Sequence, residues 1–99
     1  MKIPKETIDS PDKLCAYCTD KGVKVTVRKM NDENYILIEG DADALACLGH
    51  LLIAQAGFQK DCGFQLSPKG AGRALFSSKS DTGIYIHRLP CLEHESRNK

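Results

Sequence analysis

The stretch from Tyr35 to Gly57, YILIEGDADALACLGHLLIAQAG, constrains this chain more than any other. Tyr35 to Glu39 is apolar, with β-branched and aromatic side chains, which is the composition of a strand. Gly40 permits the backbone turn that ends it. Asp41 stands where an N-cap carboxylate accepts an orphan backbone N–H, and Asp43 adds negative charge at the positive end of the helix dipole. From Ala42 to Ala56 there is no proline, and Ile53 is the one β-branched residue. Gly57 is a natural stop. The segment therefore reads as a strand running directly into a helix over 42–56.

That helix is apolar on more than one side. At about 100° per residue, Leu45, Leu48, Leu52 and Ala56 share a face, with Ala44 and Leu51 beside them. This face is expected to lie on a sheet. The opposite face carries Ala46, Cys47, His50, Ile53 and Ala54, with Asp43 at its start, where a wet helix would show Lys and Glu. A helix apolar nearly all round is covered on both sides. Ala46, Cys47, His50, Ile53 and Ala54 are therefore expected to form an interface. The N-terminal segment, a second copy or a different protein would cover it.

The rest of the chain supplies the remaining layers. Residues 1–9 read as an arm with little to bury. Ser10-Pro11-Asp12 is a helix start, with Ser as N-cap and Pro in the first turn, and Lys21-Gly22 is a matching stop. Val23, Val25 and Val27 alternate with Lys24, Thr26 and Arg28, the pattern of a half-buried strand. The turn cluster Asn31-Asp32-Glu33-Asn34 joins strand 23–30 to strand 35–39 as an antiparallel hairpin. Gly63 to Leu66 reads as a third strand and Gly83 to Arg88 as the last, with a Gly-, Ser- and Lys-rich loop between them.

The expected fold is α+β and two-layered. A mostly antiparallel four-stranded sheet (β-hairpin, helix, two strands) has one long helix across a face and a short N-terminal helix. Residues 10–89 form one domain and 90–99 a polar tail. The expected core is Val25, Val27, Ile36, Ile38, Leu45, Leu48, Leu52, Leu66, Ile84 and Ile86, with Tyr35 and Leu37 the alternative inward set of their strand.

The totals exclude several function classes. Ninety-nine residues suffice for one modest core, and 27% charged residues are ordinary for a globular chain. A net charge of +1 gives no field for nucleic acid or an anionic membrane. No apolar run reaches membrane-spanning length, and the start MKIPKETIDS lacks a signal-peptide apolar region. Five cysteines, an odd number, then read as reduced thiols in a cytoplasm.

Four constellations carry candidate chemistry. Cys15-x-x-Cys18 has redox spacing, but it falls inside the first helix instead of at a helix start after a strand. Combined with Cys91 and His94, Cys15 and Cys18 would make a tetrahedral zinc set, against the alternative of thiols packed as small hydrophobes. Cys47 and His50, with Asp43, resemble a nucleophile, base and orienting acid on one helix, with no oxyanion hole indicated. Lys69, Gly70, Gly72 and Arg73 offer free backbone N–H groups and two cations to an anion, against the alternative of a flexible basic loop.

The segment ILIEGDADALACLGHLLIAQA, with a hairpin before it and strands after, resembles small bacterial immunity proteins of polymorphic toxin systems. The likeness covers roughly residues 23–66 and the strand 83–88. Where that family tends to carry a His-rich strand with an acidic end, this chain has Cys62-Gly63-Phe64-Gln65-Leu66-Ser67. The resemblance implies a non-enzymatic binding protein and assigns no particular residues. The expectation is a bacterial-type cytoplasmic module that binds another protein and forms a homodimer, with no cofactor, nucleic acid or membrane involved.

Overall fold

Capping residues set the helix boundaries. The Ser10 hydroxyl accepts the Lys13 N–H at 3.4 Å, and the Asp41 carboxylate accepts the Ala44 N–H at 2.8 Å. Both caps stand where the sequence predicts them. The structure is a computed structural model, and it describes residues 2–8, 10–31 and 34–91. In chain order the elements are α1 (Lys5–Ile8), α2 (Pro11–Asp20), β1 (Thr26–Lys29), β2 (Ile36–Glu39), α3 (Ala42–Gly57), β3 (Gly63–Leu66), a 3-10 turn (Arg73–Leu75) and β4 (Ile84–His87). The class is α+β.

Instead of the expected four-stranded sheet there are two antiparallel two-stranded ones, β1 with β2 and β3 with β4. Val27 lies opposite Ile38, and Phe64 opposite Ile86. The outer edge of β1 explains the split. Val25 begins a parallel pairing there: its N–H donates to Leu75 O and its carbonyl accepts the Ser77 N–H. Side chains then take over the positions of a neighbouring strand. The Val27 N–H donates to Ser80 Oγ at 3.0 Å, and the Lys29 N–H donates to Asp81 Oδ1 at 3.2 Å. The Val27 carbonyl accepts two N–H groups at once, from Asp81 and Thr82. With its edge satisfied in this way, β1 leaves no ladder for β4, which diverges. Hydrogen bonds from the Thr82 hydroxyl and the Lys29 N–H hold the Asp81 carboxyl below its ordinary range, so it stays an acceptor.

The core lies chiefly between α2 and α3. Leu14 and Cys18 of α2 meet Cys47, Leu51 and Ala54 of α3, and Val25, Val27, Leu66 and Leu75 close the cluster. Of the expected core, Val25, Val27, Leu48 and Leu66 are buried, and Ile84 and Ile86 are half-buried. Ile36, Ile38, Leu45 and Leu52 are not core residues: each leaves about half its surface open, between 46% and 52%. The cause is the rotation of α3. The helix turns its Ala44, Cys47, Leu51 and Ala54 side inward onto α2, and this swings Leu45 and Leu52 outward.

Packing extends into both flanks of the described chain. Within the 1–9 arm, α1 packs on α2 and α3, Ile3 rests against the core, and the Tyr17 hydroxyl donates to Lys2 O. At the other end Cys91, within the expected 90–99 tail, is fully buried. Residues 92–99 lie outside the described residues.

The rotation of α3 is directly testable. Leu51→Ala removes a side chain with no exposed surface and is expected to cost about 2–5 kcal/mol. Leu52→Ala should cost well under half of that in the same urea denaturation of dilute protein. Equal losses at the two positions would contradict the rotation.

Candidate functional site

The splayed hairpins and the offset helix leave a groove. Val27 of β1, Ile36 and Ile38 of β2, Leu48 and Leu52 of α3, and Ile84 and Ile86 of β4 line it, with Thr82 and Gly83 at one margin. Its volume is about 450 Å³. Strand alternation places Ile36 with Ile38, and Ile84 with Ile86, on the sheet faces turned toward α3. In a closed two-layer sandwich α3 would cover these residues. Here α3 is drawn toward α2, and its contact with β4 is slight.

The lining contains no titratable group. Its one side-chain polar group is the Thr82 hydroxyl, which donates to Asp81 Oδ1, and the rest of the lining is glycine and aliphatic side chains. Beside the groove, the outward side of α3 continues the apolar character through Leu45, Gly49, Leu52 and Ile53.

The structure separates the residues expected at the helix interface. Cys47 and Ala54 are buried within the chain beneath α2. His50 is half-buried, and its Nδ1 has no hydrogen-bond partner. Ala46 and Ile53 face solvent. Helix α2 thus covers Cys47 and Ala54 of the predicted face, and the uncovered apolar side is shifted around the helix toward Leu45 and Leu52.

The cysteine chemistry differs from expectation. Cys18 is bonded to Cys47 and Cys62 to Cys91, and Cys15 is the free, buried thiol. The reduced-thiol reading is corrected accordingly. Two thiols of the zinc set Cys15, Cys18, Cys91 and His94 are spent in different disulfides, which leaves Cys15 as its one free thiol; His94 lies outside the described residues. Among the described residues, no group of three or more His, Cys, Asp or Glu side chains is placed to hold a metal ion. Cys47 has no thiol with which to serve as a nucleophile beside His50. The missed signal lay at the second hairpin. Cys62 stands just before β3 and Cys91 shortly after β4, so antiparallel pairing of Gly63 with His87 brings the two flanks together.

The loop expected to hold an anion lies beside acidic groups. Gly70, Gly72 and Arg73 line a cleft of about 500 Å³ against α2, whose Asp12 and Asp20 face it, and Lys69 is not part of the lining. Two carboxylates opposite one guanidinium disfavour an anion. Three of the loop's backbone donors are occupied as well. The Gly70 N–H donates to Ser67 O, the Arg73 N–H to Gly70 O, and the Lys69 N–H to Ser67 Oγ. Gly72 is required by the turn itself: its φ is +74°, and an added Cβ would run into Leu66.

No protein-family model matches the chain, and no curated protein or solved structure matches it. Among the described residues, no helix is long and apolar enough to cross a membrane.

The disulfide assignment predicts a thiol count. Denatured, unreduced protein should titrate one thiol with a chromogenic disulfide reagent, and reduced protein five. Each bond closes a separation of 29 residues, so reduction should lower stability by about 3–4 kcal/mol per bond in the chain-entropy estimate. In the native protein, burial pushes the Cys15 thiol above its ordinary range. Its alkylation near pH 8 should be slower than that of an exposed cysteine, because less thiolate is present. Five reactive thiols without reductant would refute the pairing.

Proposed function

We propose that this protein is a non-enzymatic binding module whose working surface is the apolar groove and the adjoining outward side of α3. One observation carries the reading: Ile36, Ile38 and Leu52, which alternation and helix periodicity direct toward a core, stand about half exposed around an open cleft. A chain that leaves such residues half uncovered forgoes about half of the roughly 1.5–3 kcal/mol that full burial of each would contribute. Association with another polypeptide recovers it. A groove without titratable groups supports binding over catalysis.

The likeness of ILIEGDADALACLGHLLIAQA to immunity proteins supports the same reading, since those proteins act by binding a polypeptide. The disulfides bear on where the binding takes place. Cys18–Cys47 and Cys62–Cys91 support an oxidising compartment in place of the cytoplasm that the odd cysteine count suggested.

The test is photo-crosslinking in the producing cell, with a photoreactive phenylalanine analogue at Ile36 or at Leu52. The expected product is a covalent adduct to a polypeptide from both positions, and none from the same analogue at Lys60, an exposed residue that does not line the groove. Failure to form adducts at either groove position would refute the reading.

A further inference from the structure

We propose that the occupant of this surface is a second copy of the chain, joined by two-fold packing of α3 on α3; the proposal rests on the reading of the groove as an interaction surface. Helix α3 shows what is unusual about the uncovered face. Leu45, Gly49, Leu52 and Ala56 follow one another at helical spacing on the outward side, with Ile53 beside them and no Lys, Arg or Glu among them.

Gly49 has no role within the chain that accounts for it. An added Cβ there would meet nothing within 4 Å, and the backbone is ordinary helix. Glycine in a helix interior weakens the helix, so its place calls for a close approach from outside. A second helix is the element that uses such a gap, because the absence of a side chain lets two helix backbones come together.

The shape of the stripe favours a copy over an unlike partner. Gly49 is a hole with one large knob on either side, Leu45 a turn before it and Leu52 a turn after. A two-fold crossing centred on Gly49 sets the two gaps against each other, so the backbones approach there and each copy's Leu45 and Leu52 pack beside the crossing point against the other helix. An isologous interface is self-complementary in this sense. The net charge of +1 opposes such an approach only weakly.

The area is sufficient. Leu45, Leu52, Ile53, Ile36 and Ile38 leave between 46% and 62% of their surfaces open. Together this is on the order of 500 Å² per chain, the upper range for an apolar patch on a soluble monomer. Two copies would cover about 1,000 Å² of apolar surface before rim atoms are added, which reaches the low end for specific interfaces. The expected dimer is therefore of moderate affinity, with a dissociation constant in the micromolar range.

Sedimentation velocity of the full, oxidised chain from low to several hundred micromolar tests this. The parent should pass from monomer to dimer across that range. Gly49→Glu should keep or raise the melting temperature of dilute protein, since its Cβ meets nothing, and should remain monomeric. Leu52→Arg should weaken the dimer about tenfold or more, and Leu89→Ser, exposed elsewhere, should assemble like the parent. A parent that stays monomeric throughout, or a dimer that survives both α3 substitutions, would overturn the proposal. Cross-links from Leu52 to a different polypeptide, with a monomeric parent, would overturn the second copy while leaving the binding surface standing. Absence of any cross-link would remove both.

Discussion

The packing of α2 on α3, fastened by Cys18–Cys47, is the contact on which the rest of the structure depends. Helix α2 is ten residues long and too short to persist alone. It docks by burying Leu14 and Cys18, and α3 answers with Cys47, Leu51 and Ala54. That match sets the rotation of α3 about its axis. Once Cys47 faces α2, Leu48 is left at the margin of the sheet face, and Leu45 and Leu52 turn outward. The exposed apolar surface follows from this choice of inner face.

The sheet contributes the other wall. Had β4 paired with β1, a continuous surface would have spread beneath α3. The Ser80 hydroxyl and the Asp81 carboxylate occupy the β1 edge instead, and the two hairpins part. Cys62–Cys91 ties the flanks of the second hairpin and keeps it as a unit. The groove lies between two well-formed hairpins and a well-formed helix, because the elements are held to other neighbours.

Much of this was legible in the residues. Ser10 and Asp41 announced both helix starts, the Val25 and Val27 alternation announced an inward strand face, and the 31–34 cluster announced the first hairpin. These are local signals, carried by side chains that act on their own backbone. The rotation of α3 was not legible, because a helix with apolar residues on nearly every side does not declare which side is inner. The disulfides depend on tertiary neighbours 29 residues away, and an odd number of cysteines argued against them. The sheet split escaped notice because Ser80 and Asp81 read as loop residues, and their role appears only when β1 lies beside them. The candidate site suffered from the same ambiguity. Ile36, Ile38 and Leu52 were recognised as residues that must be covered, and the alternation could not say by what.

The central claim is that the outward side of α3 and the groove beside it are covered when the protein works. Hydroxyl-radical footprinting read by mass spectrometry measures this residue by residue, without any substitution. As protein concentration rises, oxidation of Leu45, Leu52 and Ile53 should fall, while that of Leu89, the most open large apolar side chain among the described residues at 72% exposure, should stay constant. Oxidation of all four residues that stays unchanged across the concentration range would show that no second copy covers this face, and would contradict the account.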